Sequence, residues 1–150
     1  MATETKLRQL ADKGCPVYYF YSSERYLVRQ AVAAATRILT ADSDEDATVL
    51  DGAAPEIEQL IMAAGTISFF GTRRVVVLPE IDPAAYSDKD LEELNSTLSS
   101  LENAVVVLGS VFELERSKLK TGKRAQKLIA QCKALGYTEE LAKPKPFELK

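Results

Sequence analysis

The residues with the greatest chemical potential lie in one turn, Tyr21-Ser22-Ser23-Glu24-Arg25-Tyr26, just after the first apolar run. Strand, turn and helix in that order make the opening of a nucleotide-binding unit. Phosphate chemistry there needs G-x-x-x-x-G-K-[ST]: glycines so that backbone N–H groups wrap the phosphates, a lysine for their charge, a hydroxyl for Mg²⁺. This turn has no glycine and no lysine, and Glu24 stands where a helix N-terminus would meet the anion. A carboxylate at that place suits the helix dipole. The expectation is a capping role for Glu24 and no bound nucleotide.

Other candidate groups fare no better. Thr121-Gly122-Lys123-Arg124 has a Gly-Lys pair, but it lacks the upstream glycine, continues with Arg, and follows polar sequence instead of a strand. Glu80 and Asp82, after Leu78-Pro79, are two carboxylates that could do acid–base work. Nothing places a nucleophile or an oxyanion donor beside them, so they read as solvated turn residues. The chain has no His, which removes the commonest general base and metal ligand. Cys15 and Cys132 are far apart and have no zinc spacing; they read as reduced thiols. No catalytic, cofactor-binding or metal-binding residue is expected.

The elements that position these groups follow from the apolar pattern. Pro16–Tyr21, Ala47–Leu50, Arg74–Leu78 and Ala104–Leu108 are short runs of strand-forming residues, and Tyr137-Thr138 can begin a fifth. Between them, Leu27, Ala31, Ala34, Ala35 and Ile38 recur at helical spacing, as do Ile57, Leu60, Ile61 and Ala64. Ser87-Asp88-Lys89-Asp90 is a capping pattern ahead of Leu91, Leu94, Leu98 and Leu101. A basic helix carrying Ala125, Leu128, Ile129, Cys132 and Leu135 ends at Gly136, a residue suited to a helix C-terminus. Near-continuous apolar strands alternating with helices predict an α/β fold: a doubly wound, mostly parallel, five-stranded sheet. Residues 1–140 form one domain. The segment 141–150, with two prolines and three lysines, reads as a linker, as in a fragment of a longer protein.

The net charge is -3, unevenly placed. Residues 1–115 carry 9 basic and 19 acidic side chains, residues 116–150 carry 10 and 3. The stretch Arg116, Lys118, Lys120, Lys123, Arg124 and Lys127 contains no acid. It fits a DNA-backbone or neighbouring-subunit contact, and equally a solvated helix face. No apolar run approaches the ~20 residues of a membrane span, and the N-terminus lacks a signal-peptide core. A cytoplasmic protein without membrane contact is expected.

One loop stands out. Gly65-Thr66-Ile67-Ser68-Phe69-Phe70-Gly71-Thr72-Arg73-Arg74 places two adjacent Phe residues between glycines. The rings either cover the end of the sheet as core or face a partner. Here the sequence resembles the N-terminal domain of the δ subunit of the bacterial DNA polymerase III clamp loader. The resemblance rests on Val17–Leu27, similar to the family's strand followed by Gly-Asp-Glu-x-x-Leu. It rests further on Ser68–Leu78, similar to its small–apolar–Phe–Gly–x–Arg–Arg approach to a strand, and more weakly on Arg116–Lys120. Ser22-Ser23 depart from the family's Gly-Asp; Glu24 and Leu27 match.

The resemblance implies a RecA-like, AAA+ domain that has lost ATP binding. It implies binding to the ring-shaped sliding clamp (the β subunit) during DNA replication, with Phe69 and Phe70, flanked by Ile67 and Ser68, entering a clamp pocket and helping to open the ring. It also implies helical domains beyond this chain that join other clamp-loader subunits. Two rival readings stay open: a nucleotide-binding enzyme domain with a P-loop-like fold, and a generic α/β protein-interaction domain.

Overall fold

The computed structural model describes residues 4–41, 46–65 and 73–142. Five parallel strands form the main sheet in the order β2-β3-β4-β1-β7: β1 (Val17–Ser22), β2 (Thr48–Val49), β3 (Arg74–Leu78), β4 (Ala104–Val111) and β7 (Tyr137–Glu140). A separate antiparallel hairpin pairs β5 (Glu113–Glu115) with β6 (Lys118–Lys120). The helices are α1 (Glu4–Asp12), α2 (Arg25–Thr40), α3 (Ile57–Gly65), α4 (Asp88–Ser99) and α5 (Gly122–Leu135), with a 3₁₀ turn at Pro83–Ala85.

The central strands β1, β3 and β4 are largely apolar because both faces of the sheet are covered there, and their side chains alternate between two cores. Val17 and Tyr19 of β1, Val76 and Leu78 of β3, and Val106 and Leu108 of β4 pack with α3, α4 and α5. The intervening Tyr18, Phe20, Val75, Val77, Val105 and Val107 pack with α1 and α2. Leu91, Leu94 and Leu98 of α4 are at most 2% exposed; each such leucine stabilises the fold by about 1.5–3 kcal/mol. Ser87 starts that helix as expected, its Oγ accepting from the Asp90 amide at 3.1 Å.

Two elements were not foreseen. Helix α1 lays Leu7 and Leu10 on the α2 side of the sheet. The stretch Glu113–Lys120, expected as polar sequence leading into a basic helix, is the β5–β6 hairpin. Its two turn residues, Arg116 and Ser117, have φ of 52° and 68°, the left-handed backbone that a tight two-residue hairpin turn requires.

Gly136 does follow the last helix, but for another reason than expected. Its φ of -161° is extended. A side chain there would collide with the Val17 carbonyl, so glycine is needed for the close crossing of β1.

Candidate functional site

In an open α/β sheet, ligands sit beyond the carboxyl ends of the strands, where the chain's connections diverge. After β1 the chain runs toward β2; after β4 it crosses to β7 on the other side. The crevice between β1 and β4 is therefore the place for a phosphate. Only Ser23 and Glu24 separate the end of β1 from the start of α2. A phosphate-wrapping loop needs several successive backbone N–H groups around an open space, and a connection of this length cannot supply it.

The polar groups of the turn are engaged elsewhere. Ser22 is fully buried; its Oγ donates to the Leu141 carbonyl at 2.6 Å and accepts from the Glu24 amide at 3.0 Å. The Ser22 carbonyl accepts from the Phe112 amide at 2.8 Å. Glu24 occupies the N-cap position of α2, but its side chain makes no capping hydrogen bond, so the expected capping role is not seen; the Ser22 hydroxyl holds the Glu24 amide in a local turn ahead of the helix.

The chain leaving β3 lines one side of the crevice. It crosses β4 at Gly109, where a side chain would strike the Pro79 carbonyl oxygen and Val28. The Ile81 amide donates to the Gly109 carbonyl at 2.8 Å. Ser110 Oγ donates to the Ile81 carbonyl at 2.8 Å, which leaves the Tyr19 hydroxyl to donate to Ser110 Oγ at 2.6 Å. Burial raises the Tyr19 pKa well above the usual phenol range, so it stays a neutral donor.

Glu80 and Asp82 have structural partners. Glu80 accepts from Arg25 Nε at 2.8 Å across the mouth of the crevice, and Asp82 Oδ1 caps the 3₁₀ turn by accepting from the Ala84 amide at 3.0 Å. No group of three or more His, Cys, Asp or Glu with metal-binding geometry occurs among the described residues.

The basic stretch lies at this same end of the sheet and is partly neutralised. Lys120 stands opposite Glu113 and Lys118 opposite Glu115 in the hairpin. Arg116 sits exposed at its tip. Arg124 Nε donates to Asp88 Oδ1 at 3.0 Å. Lys123 and Lys127 are exposed on α5. Gly122-Lys123 does follow a strand, contrary to expectation, but that strand belongs to the hairpin and not to the main sheet.

Ile67, Ser68, Phe69 and Phe70 lie outside the described residues. Their flanks are defined: Gly65 closes α3, and Arg74 opens β3 with its amide donating to the Asn103 carbonyl at 2.8 Å. Gly65 and Arg74 themselves lie at the amino ends of the strands, opposite the crevice. Beside Gly65, a groove of about 570 Å³ runs between the ends of α3 and α4, with Ile61 and Leu101 in its lining. Ile61 and Met62 of α3 are 51% and 69% exposed. Sequence reasoning overlooked this apolar surface because Ile61 reads as one more residue of the buried helical stripe.

No protein-family model and no curated protein matches the sequence. Among solved structures, a DNA polymerase III gamma subunit-related protein from Thermotoga maritima has a similar fold, with a TM-score of 0.66 at 15% identity. The match covers 97% of this chain and 48% of that one, so this chain spans about half of its length. The likeness shows the fold: this chain has an α/β fold similar to that of the gamma subunit-related protein. No helix among the described residues is long and apolar enough to cross a membrane.

Proposed function

We propose that this chain is the AAA+-like domain of a δ-type clamp-loader subunit, one that binds the sliding clamp without binding ATP and helps to open its ring in the cytoplasm. The observation that carries this reading is the two-residue Ser23-Glu24 turn, set in a fold similar to that of a polymerase III gamma-related protein. The fold is kept and the phosphate loop is gone, which favours an assembly role over hydrolysis. In this reading Phe69 and Phe70 enter a pocket of the clamp, as buried aromatic anchors do at hot spots. Other loader subunits would join through regions beyond this chain.

The reading is tested by clamp binding. Phe70→Ala is expected to weaken binding at least ~30-fold, about 2 kcal/mol, with circular dichroism unchanged, and the Phe69/Phe70 double alanine variant to abolish it. Normal clamp binding by the folded double variant would refute the assignment. Calorimetry with Mg-ATP separates the enzyme reading, which requires measurable binding where none is expected.

A further inference from the structure

The crevice at the carboxyl ends of the strands has a two-residue turn where a phosphate-wrapping loop would stand, and it is a cleft of about 800 Å³. Its lining has two kinds of surface. Leu114, 58% exposed, and the partly buried Val111 supply most of the apolar area, with the buried Ile81 and Phe112 behind them. Glu24, Glu80, Asp82 and Glu113 supply four carboxylates against the cations of Arg25 and Lys120. The Arg25 guanidinium is bonded to Glu80. Glu113 stands opposite Lys120 in the hairpin, and Glu24 and Asp82 have no ion pair among the described residues. The lining therefore carries a net negative charge where a nucleotide site would be positive.

An apolar wall beside a carboxylate rim matches a particular kind of group: a long aliphatic stem ending in a cation. Lysine and arginine side chains have that form, and they lay their stems on apolar surface while the charged head meets a counter-charge. Leu114 is held at the cleft by the β5–β6 hairpin, and its register partner Leu119 stands behind it on the same hairpin face.

We propose that this cleft is a docking site for a basic segment of another protein chain, which inserts an arginine or lysine over Leu114 toward Glu24 and Asp82. The inference does not rest on the clamp reading: none of the residues assigned to clamp binding lines this cleft, so either surface can fail alone.

The test is an NMR titration of the ¹⁵N-labelled 150-residue chain with three capped tripeptides, Ac-Ala-Arg-Ala-NH₂, its Glu counterpart and its norleucine counterpart. The Arg peptide is expected to shift the amides of Ser23, Glu24, Asp82 and Leu114, with the Glu peptide at least ~10-fold weaker. The double variant Glu24→Gln/Asp82→Asn retains an Oδ1 acceptor for the 3₁₀ turn, and Leu114→Ser alters an exposed position; each is expected to weaken the Arg peptide at least ~5-fold with the fold intact. Equal shifts with the Glu peptide, or shifts centred on Asp88, Asp90, Glu92 and Glu93 of α4, would overturn the proposal. So would unchanged binding by both variants.

Discussion

The Ser22 hydroxyl donates to the Leu141 carbonyl at 2.6 Å, across 119 residues of chain, and thereby fixes the segment after β7 to the end of β1. The Leu141 amide returns a bond to the Tyr21 carbonyl at 2.8 Å, and Leu141 is itself buried. The β1–α2 turn is thus a structural joint between the first and last strands of the sheet. Ser22→Ala would strand the Glu24 amide and the Leu141 carbonyl. Its expected cost is about 1–3 kcal/mol, read as a lower urea midpoint with unchanged slope.

The crossing of Pro79 over Gly109 gives a second prediction. A methyl group at 109 has no room between the Pro79 carbonyl and Val28. Gly109→Ala is expected to destabilise the chain by about 1–3 kcal/mol, as overpacked cores do. Arg25→Ala is the contrasting case: the Arg25–Glu80 pair has side chains 58% and 39% exposed, so its loss should cost below about 1 kcal/mol. Thermal melts of the two variants should differ accordingly. A Gly109→Ala midpoint equal to that of Arg25→Ala would show that the loop after β3 yields easily.

These sites mark what the sequence disclosed. The strands of β3 and β4 were legible because apolar residues buried on both faces leave an unbroken run, and Ser87 was legible because its cap is local. The hairpin was not, since Arg116-Ser117 lacks the Asn or Gly that normally announces a left-handed turn. Gly109 sits inside a strand run with nothing nearby in sequence to show that Pro79 passes over it. Ser22 reads as an ordinary turn hydroxyl because its partner is Leu141. The lack of a glycine-rich loop could be read from residue types, while the lining of the crevice depends on contacts between distant segments.

The two thiols should behave differently from free cysteine. Burial raises the Cys132 pKa from 9.0 to about 12 and also raises that of the half-buried Cys15. Native protein at pH 8 is expected to react slowly with a disulfide reagent at Cys15 and not at Cys132. Unfolded chain ionises Cys132 near pH 9, whereas the folded chain keeps it protonated to about pH 12. Stability from this group is therefore complete below pH 9 and lost as pH rises toward 12, by roughly 4 kcal/mol at the limit. Cys132→Ala should flatten that fall. Fast labelling of Cys132 in native protein would contradict its burial.

The hairpin also sharpens the question of DNA contact. Lys118 and Lys120 face Glu115 and Glu113, and Arg124 is bonded to Asp88. Arg116, Lys123 and Lys127 make no ion pair among the described residues, although Lys123 and Lys127 share a groove with Asp88 and Glu92 of α4. A duplex contact through these three would give a slope of log affinity against log salt of about -2.7. Lys123→Ala/Lys127→Ala should reduce that slope by about 1.8, and Lys118→Ala should change it less. Fluorescence anisotropy with a labelled duplex at several salt concentrations measures both. Absence of binding at low ionic strength would remove DNA from the partners of this surface and leave it to contacts with protein.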